Sequence, residues 1–128
     1  MKNVIFEFYI GDTYPRDIII DGYSEEISEM YFTIKKNNND KRYVLQKTLT
    51  GGGITLVDVT YGTDGSIISR TYNLLINADD TEDMNPEVDY DFDIEIVTPG
   101  VSEIDIKKTI ITGIFRLTNT TTRKYNEV

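Results

Sequence analysis

The stretch Val88-Asp89-Tyr90-Asp91-Phe92-Asp93-Ile94-Glu95-Ile96-Val97 sets apolar against acidic residues at every step. Successive side chains of an extended chain point to opposite faces, so Val88, Tyr90, Phe92, Ile94 and Ile96 share one face and Asp89, Asp91, Asp93 and Glu95 the other. One face reads as core and the other as wet. A slip of one residue would carry four carboxylates inward, so the pattern sets the register as well as the strand. Each apolar side chain contributes about 1.5–3 kcal/mol on burial, before chain entropy is counted.

Working outward, Thr98-Pro99-Gly100 stops this strand by removing a donor and supplying a flexible residue, and Ile104–Thr118 starts the next. Pairing of the two as a late hairpin would set the acids beside Lys108 and Arg116. Such exposed cross-strand charge pairs contribute about 0–1 kcal/mol each. Upstream, runs rich in Val, Ile, Tyr, Phe and Thr predict strands over Asn3–Ile10, Arg16–Asp21, Glu29–Lys36, Arg42–Lys47, Ile54–Thr60 and Ser66–Ile76. Asn37-Asn38-Asn39-Asp40 and Tyr61-Gly62-Thr63-Asp64-Gly65 read as hairpin tips, because Asn, Asp and Gly tolerate left-handed backbone. Gly51-Gly52-Gly53 is a flexible lead-in to a strand: neither a lysine-hydroxyl pair nor a helix pattern follows it, so it is no phosphate loop. Between Asn77 and Glu87, cap-type residues, acids and a proline predict one helical turn crossing between sheets. The expectation is an all-β, two-sheet antiparallel sandwich, a single domain over residues 1–128, with one short helical turn in a connection.

Composition excludes much chemistry. The 128 residues contain no cysteine, histidine or tryptophan. Thiolate and imidazole catalysis, zinc-finger sites and disulfides are therefore out, and the lack of cysteine suits a reducing cytoplasm. The 22 acidic residues against 13 basic ones leave a net charge of −9, which repels phosphate backbones and makes nucleic acid a poor partner. Met1-Lys2-Asn3-Val4-Ile5-Phe6 passes straight into β-type alternation, without a signal peptide's apolar stretch or the roughly 18-residue run of a membrane span. A soluble chain with no membrane contact is expected.

The acid ladder invites a calcium reading, since its first three positions mimic a calcium loop. The rest fails: Ile94 stands where the loop needs glycine and Gly100 where it needs the bidentate glutamate. No metal or cofactor is expected. Asp79, Asp80, Glu82 and Asp83 in the crossing connection read as capping residues. A glycosidase needs two carboxylates flanking a sugar cleft, and no pattern here assigns such a pair. Tyr72 and Tyr90 alternate with core residues and read as structural. Tyr14, Tyr23 and Tyr61, near turns, are the candidates for an interaction surface.

Three stretches taken in order carry a resemblance: Tyr9-Ile10-Gly11-Asp12-Thr13; Ala78-Asp79-Asp80-Thr81 followed by Tyr90–Ile96; and Lys108–Thr118 with Gly113 inside it. Together they resemble the immunoglobulin-like β-sandwich domains of tailed-bacteriophage virion proteins, similar to the N-terminal domain of baseplate upper proteins. The resemblance implies a non-catalytic module of a phage or prophage virion, associated with tail or baseplate, made in the host cytoplasm and partnered by other phage structural proteins, with a homo-oligomer left open. A carbohydrate- or cell-surface-binding module is the alternative. The motif residues have structural accounts of their own. Gly11, Asp12 and Thr13 end the first strand in a turn, Asp80 and Thr81 tie the crossing to its backbone, and Gly113 lets the last strand bend or a neighbour approach closely. In many members of that family the domain heads a longer chain, whereas here Val128 follows soon after the last strand.

Overall fold

The computed structural model describes residues 3–23, 25–100 and 104–118. In chain order its strands are β1 (Asn3–Tyr9), β2 (Tyr14–Asp21), β3 (Glu29–Lys35), β4 (Leu45–Thr48), β5 (Ile54–Tyr61), β6 (Ile67–Ile76), β7 (Asp89–Thr98) and β8 (Ile106–Thr118). Every strand read from the sequence is present, and the short helical turn is a 3-10 turn at Ala78–Asp80. The strands form a five-stranded sheet in the order β1-β8-β7-β3-β4 and a three-stranded sheet in the order β2-β6-β5. β2, β5 and β6 in one sheet against β3, β7 and β8 in the other is the partition of an immunoglobulin-like sandwich.

Pairing is antiparallel except at one edge, where β1 runs parallel to β8 from Asn3 opposite Thr112 to Tyr9 opposite Thr118. The turn chemistry explains the hairpins. Between β5 and β6, Gly62 N–H donates to the Ser66 carbonyl and Gly65 takes φ +84°, which a residue with a Cβ rarely adopts. After β1, Gly11 does the same at φ +79°.

The core lies between the sheets. β7 contributes Tyr90, Phe92, Ile94 and Ile96, β3 contributes Met30, Phe32 and Ile34, and the facing sheet contributes Ile18, Tyr72, Leu74 and Ile76, all buried. At its centre the Phe92 ring stacks on Phe6 at 4.6 Å and meets Phe32 at 5.5 Å. Near the start of β7, the Tyr90 hydroxyl accepts a 2.8 Å hydrogen bond from the Asn85 N–H five residues upstream. This is the tyrosine corner of immunoglobulin-like sandwiches, whose tyrosine stands two residues before an inter-sheet cysteine. Here that second position is Phe92. Its ring packs on Phe6 and Phe32 of the same sheet, each aromatic pair adding about 0.5–1.5 kcal/mol beyond its buried area, and a ring contact that crosses between the sheets is that of Tyr14 of β2 with Phe8 of β1 at 4.0 Å.

Polar tethers hold the connections. Thr81 is buried, and its Oγ1 accepts from Gly11 N–H at 3.0 Å, joining the crossing between β6 and β7 to the turn after β1. Asp80 accepts from Asn77 N–H at 2.7 Å and pairs with Lys47 of β4 at 2.7 Å. The expected self-tie of this segment is therefore present through Asp80, while Thr81 also reaches a turn 70 residues away. Buried Arg70 of β6 donates to the Tyr23 and Glu25 carbonyls at 2.8 and 2.6 Å, fixing the chain between β2 and β3.

Gly113 realises the close-approach alternative: a Cβ there would meet the Val4 carbonyl of β1 and lie 2.6 Å from the Phe92 ring. Gly113→Ala is therefore expected to cost about 1–3 kcal/mol through overpacking, more than the unfolded-chain entropy it removes, about 0.4–1 kcal/mol. Tyr90→Phe loses one hydrogen bond and should cost about 1 kcal/mol. Urea unfolding midpoints check both, and a Gly113→Ala protein as stable as the parent would show that β1 does not press on this position.

Candidate functional site

The outer face of the five-stranded sheet carries a cleft of about 340 Å³. Its floor follows from strand parity. With Met30, Phe32 and Ile34 of β3 buried, Tyr31, Thr33 and Lys35 must face outward, and pairing with β7 sets Tyr31 opposite Glu95 and Thr33 opposite Asp93. On the other flank Gln46 of β4 lies opposite Thr33, and its amide donates to the Thr33 hydroxyl at 3.1 Å. Lys41 and Tyr43, in the loop between β3 and β4, form one wall, and Tyr43 is 57% exposed. Lys107 of β8 closes the other side.

Lys107 is there because of a β-bulge. Pairing of β7 with β8 runs Asp89–Arg116, Asp91–Ile114 and Asp93–Thr112, then shifts between Ile94 and Glu95, so that Glu95 faces Thr109 and Val97 faces Lys107. One extra residue on β8 reverses which of its side chains share the acid face. An unbroken register would set Lys108 beside Val97 on that face. The expected placing of Lys108 beside the acids is thus corrected: Lys107 shares their face, without an ion pair within 4 Å to them among the described residues. Arg116 pairs as expected: it donates to both Asp89 carboxylate oxygens at 2.8 and 2.9 Å and reaches Glu7 of β1 at 3.4 Å. Those hydrogen bonds and the guanidinium charge hold the Asp89 carboxyl below its usual range.

The acid face is less wet than its alternation suggests. Asp89 is exposed, but Asp91, Asp93 and Glu95 are half-buried between the side chains of β3 and β8. Burial pushes the Asp93 carboxyl above the ordinary carboxylate range, and the charge of Lys35 offsets this only in part. Asp93 and Glu95 are neighbours on one face of one strand, so both rise from the floor of the cleft. Two carboxylates flanking a bond from opposite sides, as a glycosidase needs, is a different arrangement. Among the described residues, no three acids converge as a metal site.

The tyrosines singled out in the sequence are not brought together. Tyr61, 62% exposed at the end of β5, is a surface residue. Tyr14 and Tyr23 are half-buried and pack partly against the core, Tyr14 with its ring 4.0 Å from that of Phe8. Gly11, Asp12 and Thr13 form the turn after β1, where Asp12 N–H donates to the Tyr9 carbonyl. The outward parity of Tyr31, Thr33 and Lys35 was readable from the apolar residues between them. Lys41, Tyr43 and Lys107 carry no such signal, since a loop and a bulge place them.

The sheet edges form a second candidate surface. β4 has four residues and a lysine paired to Asp80. β2 carries Pro15, Arg16, Asp17 and Asp21, and β5 has two register shifts, between Leu56 and Asp58 and between Thr60 and Tyr61. These are the devices that blunt an edge against pairing. β1, Asn-Val-Ile-Phe-Glu-Phe-Tyr, has an unbroken register with β8, no proline and one charge, and leaves Ile5 49% and Tyr9 53% exposed.

No protein-family model matches the chain, and no curated protein matches it. Among the described residues no helix is long and apolar enough to cross a membrane.

The burial of Asp93 has a measurable sign. A carboxyl whose folded pKa is raised weakens the fold where it is ionised, and the penalty fades as pH falls through the folded value toward the unfolded one, about 3.9. Asp93→Asn is expected to raise the melting temperature at pH 7 by about 1–4 °C, with the gain vanishing below about pH 4. Thermal melts of both proteins across pH check it, and a less stable variant at pH 7 would count against a desolvated carboxylate.

Proposed function

We propose that this chain is a non-catalytic structural and interaction module of a phage or prophage virion, associated with tail or baseplate, that joins other virion proteins by strand addition at β1. The carrying observation is that, among the described residues, β1 is the least blunted of the four sheet edges: seven residues long, with no proline, no register shift and a single charge, Glu7, which Arg116 binds. Ile10 N–H donates to the Thr118 carbonyl at 2.9 Å, so the alternation of a parallel pair turns the main-chain groups of Ile5 and Glu7 away from β8. A second extended chain can take up those groups, with main-chain bonds supplying affinity and side chains specificity. The virion reading is supported by the resemblance that the ordered motifs Gly11-Asp12-Thr13, Asp80-Thr81 and Gly113 carry.

A second reading, a carbohydrate- or cell-surface-binding module on the same sandwich, is favoured by the tyrosine-lined cleft.

Mass spectrometry of purified particles from a host carrying the gene tests the first reading; the chain is expected as a stoichiometric component, and its absence from particles would overturn the assignment. Ile5→Pro tests the edge. Proline is tolerated on an edge strand where its missing donor faced outward, so melting should stay within about 4 °C of the parent, under ~1 kcal/mol, while incorporation into particles is lost. Normal incorporation of this variant would exclude strand addition at β1.

A further inference from the structure

We propose that the cleft on the outer face of the five-stranded sheet binds a saccharide bearing an acidic group. This rests on the second reading above and is independent of assembly at β1, which lies at one edge of the sheet while the cleft lies over β7, β3 and β4.

The size is right for one or two sugar rings, at the lower end of small-ligand pockets, roughly 300–1,000 Å³. The lining is mostly polar, which suits a hydroxylated ligand, and Tyr31 and Tyr43 add amphipathic rings of the kind that pack on a sugar's apolar patches. Between them stand acceptors for hydroxyl groups. Asp93 and Glu95 offer carboxylate oxygens, and Gln46 spends one amide donor on Thr33, leaving its oxygen to accept.

The acidic group is inferred from the lysines. Lys35, Lys41 and Lys107 converge on the cleft against two carboxylates, a local excess of one positive charge on a chain of net charge −9. No ion pair within 4 Å holds any of the three among the described residues, whereas Lys47 and Arg116 are both so held. A neutral sugar leaves one of the three ammonium charges unbalanced by the two carboxylates; one carboxylate or phosphate on the sugar supplies the missing charge. A long polyanion is disfavoured by the charge of the rest of the chain.

A peptide fits less well. β3 is paired on both sides, to β4 and β7, and β7 to β3 and β8. The floor therefore has no free main-chain groups for strand addition, and recognition must come from side chains.

The test is titration of the full ¹⁵N-labelled chain, read by amide shifts and calorimetry, with four probes: trigalacturonate, its uncharged counterpart trigalactose, glucose 6-phosphate and triglutamate. Saturable binding of trigalacturonate or glucose 6-phosphate is expected, shifting amides of Thr33, Gln46, Asp93 and Glu95, and the two probes separate a carboxylate from a phosphate source. Either should bind about tenfold more tightly than trigalactose, a difference of about 1.4 kcal/mol. Lys107→Gln should remove most of that preference and Tyr43→Ala should weaken every sugar; both side chains are on the rim, so the fold survives. Ile5→Pro should leave sugar binding unchanged. Equal affinity for trigalactose would overturn the acidic specificity and leave the carbohydrate reading standing. Triglutamate binding as tightly as the sugars, or no shift up to about 10 mM of any sugar, where only affinities weaker than about −3 kcal/mol go unseen, would overturn both.

Discussion

β7 is hydrogen-bonded along both of its edges, to β3 on one side and β8 on the other, and its register decides what every neighbouring strand presents to each face. Its inner side chains fill the middle of the core, and its outer ones make the acidic floor. The fit is tight enough that the opposing position on β8 must be glycine: Gly113 faces Phe92, with the Val4 carbonyl of β1 pressed against the same spot. β1 can close the sheet only because that side chain is missing. The Phe92 ring, the absent Cβ and the parallel edge strand are one packing solution.

The same strand explains how strands far apart in the chain are held in one sheet without a cysteine. A disulfide constrains the unfolded chain; stacked rings act in the folded state alone, and they need neighbours on several strands. Phe6 from β1, Phe32 from β3, Phe92 from β7 and Phe115 from β8 supply them, with Phe8 edge-on to Phe115 at 5.2 Å. The stabilisation thereby becomes non-local, dependent on β1 being docked. Thr81 and Asp80 complete the dependence by tying the crossing connection to the turn after β1 and to β4, so the segment that delivers the chain into β7 is fixed at both ends of the five-stranded sheet.

Strands and turns were legible in the sequence because the physics that sets them is local. Alternation of period two, the left-handed tolerance of Gly and Asn, and the missing donor of proline all act within a few residues. Tyr90 was legible as a core residue for that reason, although its hydroxyl's partner at Asn85 was not. What escaped was whatever depends on a partner strand. The parallel placing of β1 is decided by Gly113 more than a hundred residues later, and the half-burial of Asp91, Asp93 and Glu95 is decided by the side chains of β3 and β8. Lys108 was misread through parity: counting back from Arg116 is sound until a bulge adds one residue, and nothing in the run Lys-Lys-Thr-Ile-Ile-Thr marks where it falls. The partial burial of Tyr14 and Tyr23 was not legible either, because a position near a turn does not show that the end of a sandwich still has a core for Tyr14 to cover beside Phe8.

The bulge matters beyond bookkeeping of register, because it separates two kinds of surface on one sheet. On the Arg116 side, Asp89 and Glu7 are both bound to the guanidinium, and Asp91 accepts a hydrogen bond from Asn38 N–H. Past the bulge the match is broken. Glu95 lies opposite Thr109, Lys107 opposite Val97, and Lys41 arrives from a loop that no strand register governs. Charges that are near one another but not paired leave polar groups able to exchange water for a ligand without first breaking an internal bond. The space between the sheets is filled with aromatic and aliphatic side chains, and a one-residue irregularity in the hairpin of β7 and β8 is what brings Lys107 to the cleft on the outer sheet face.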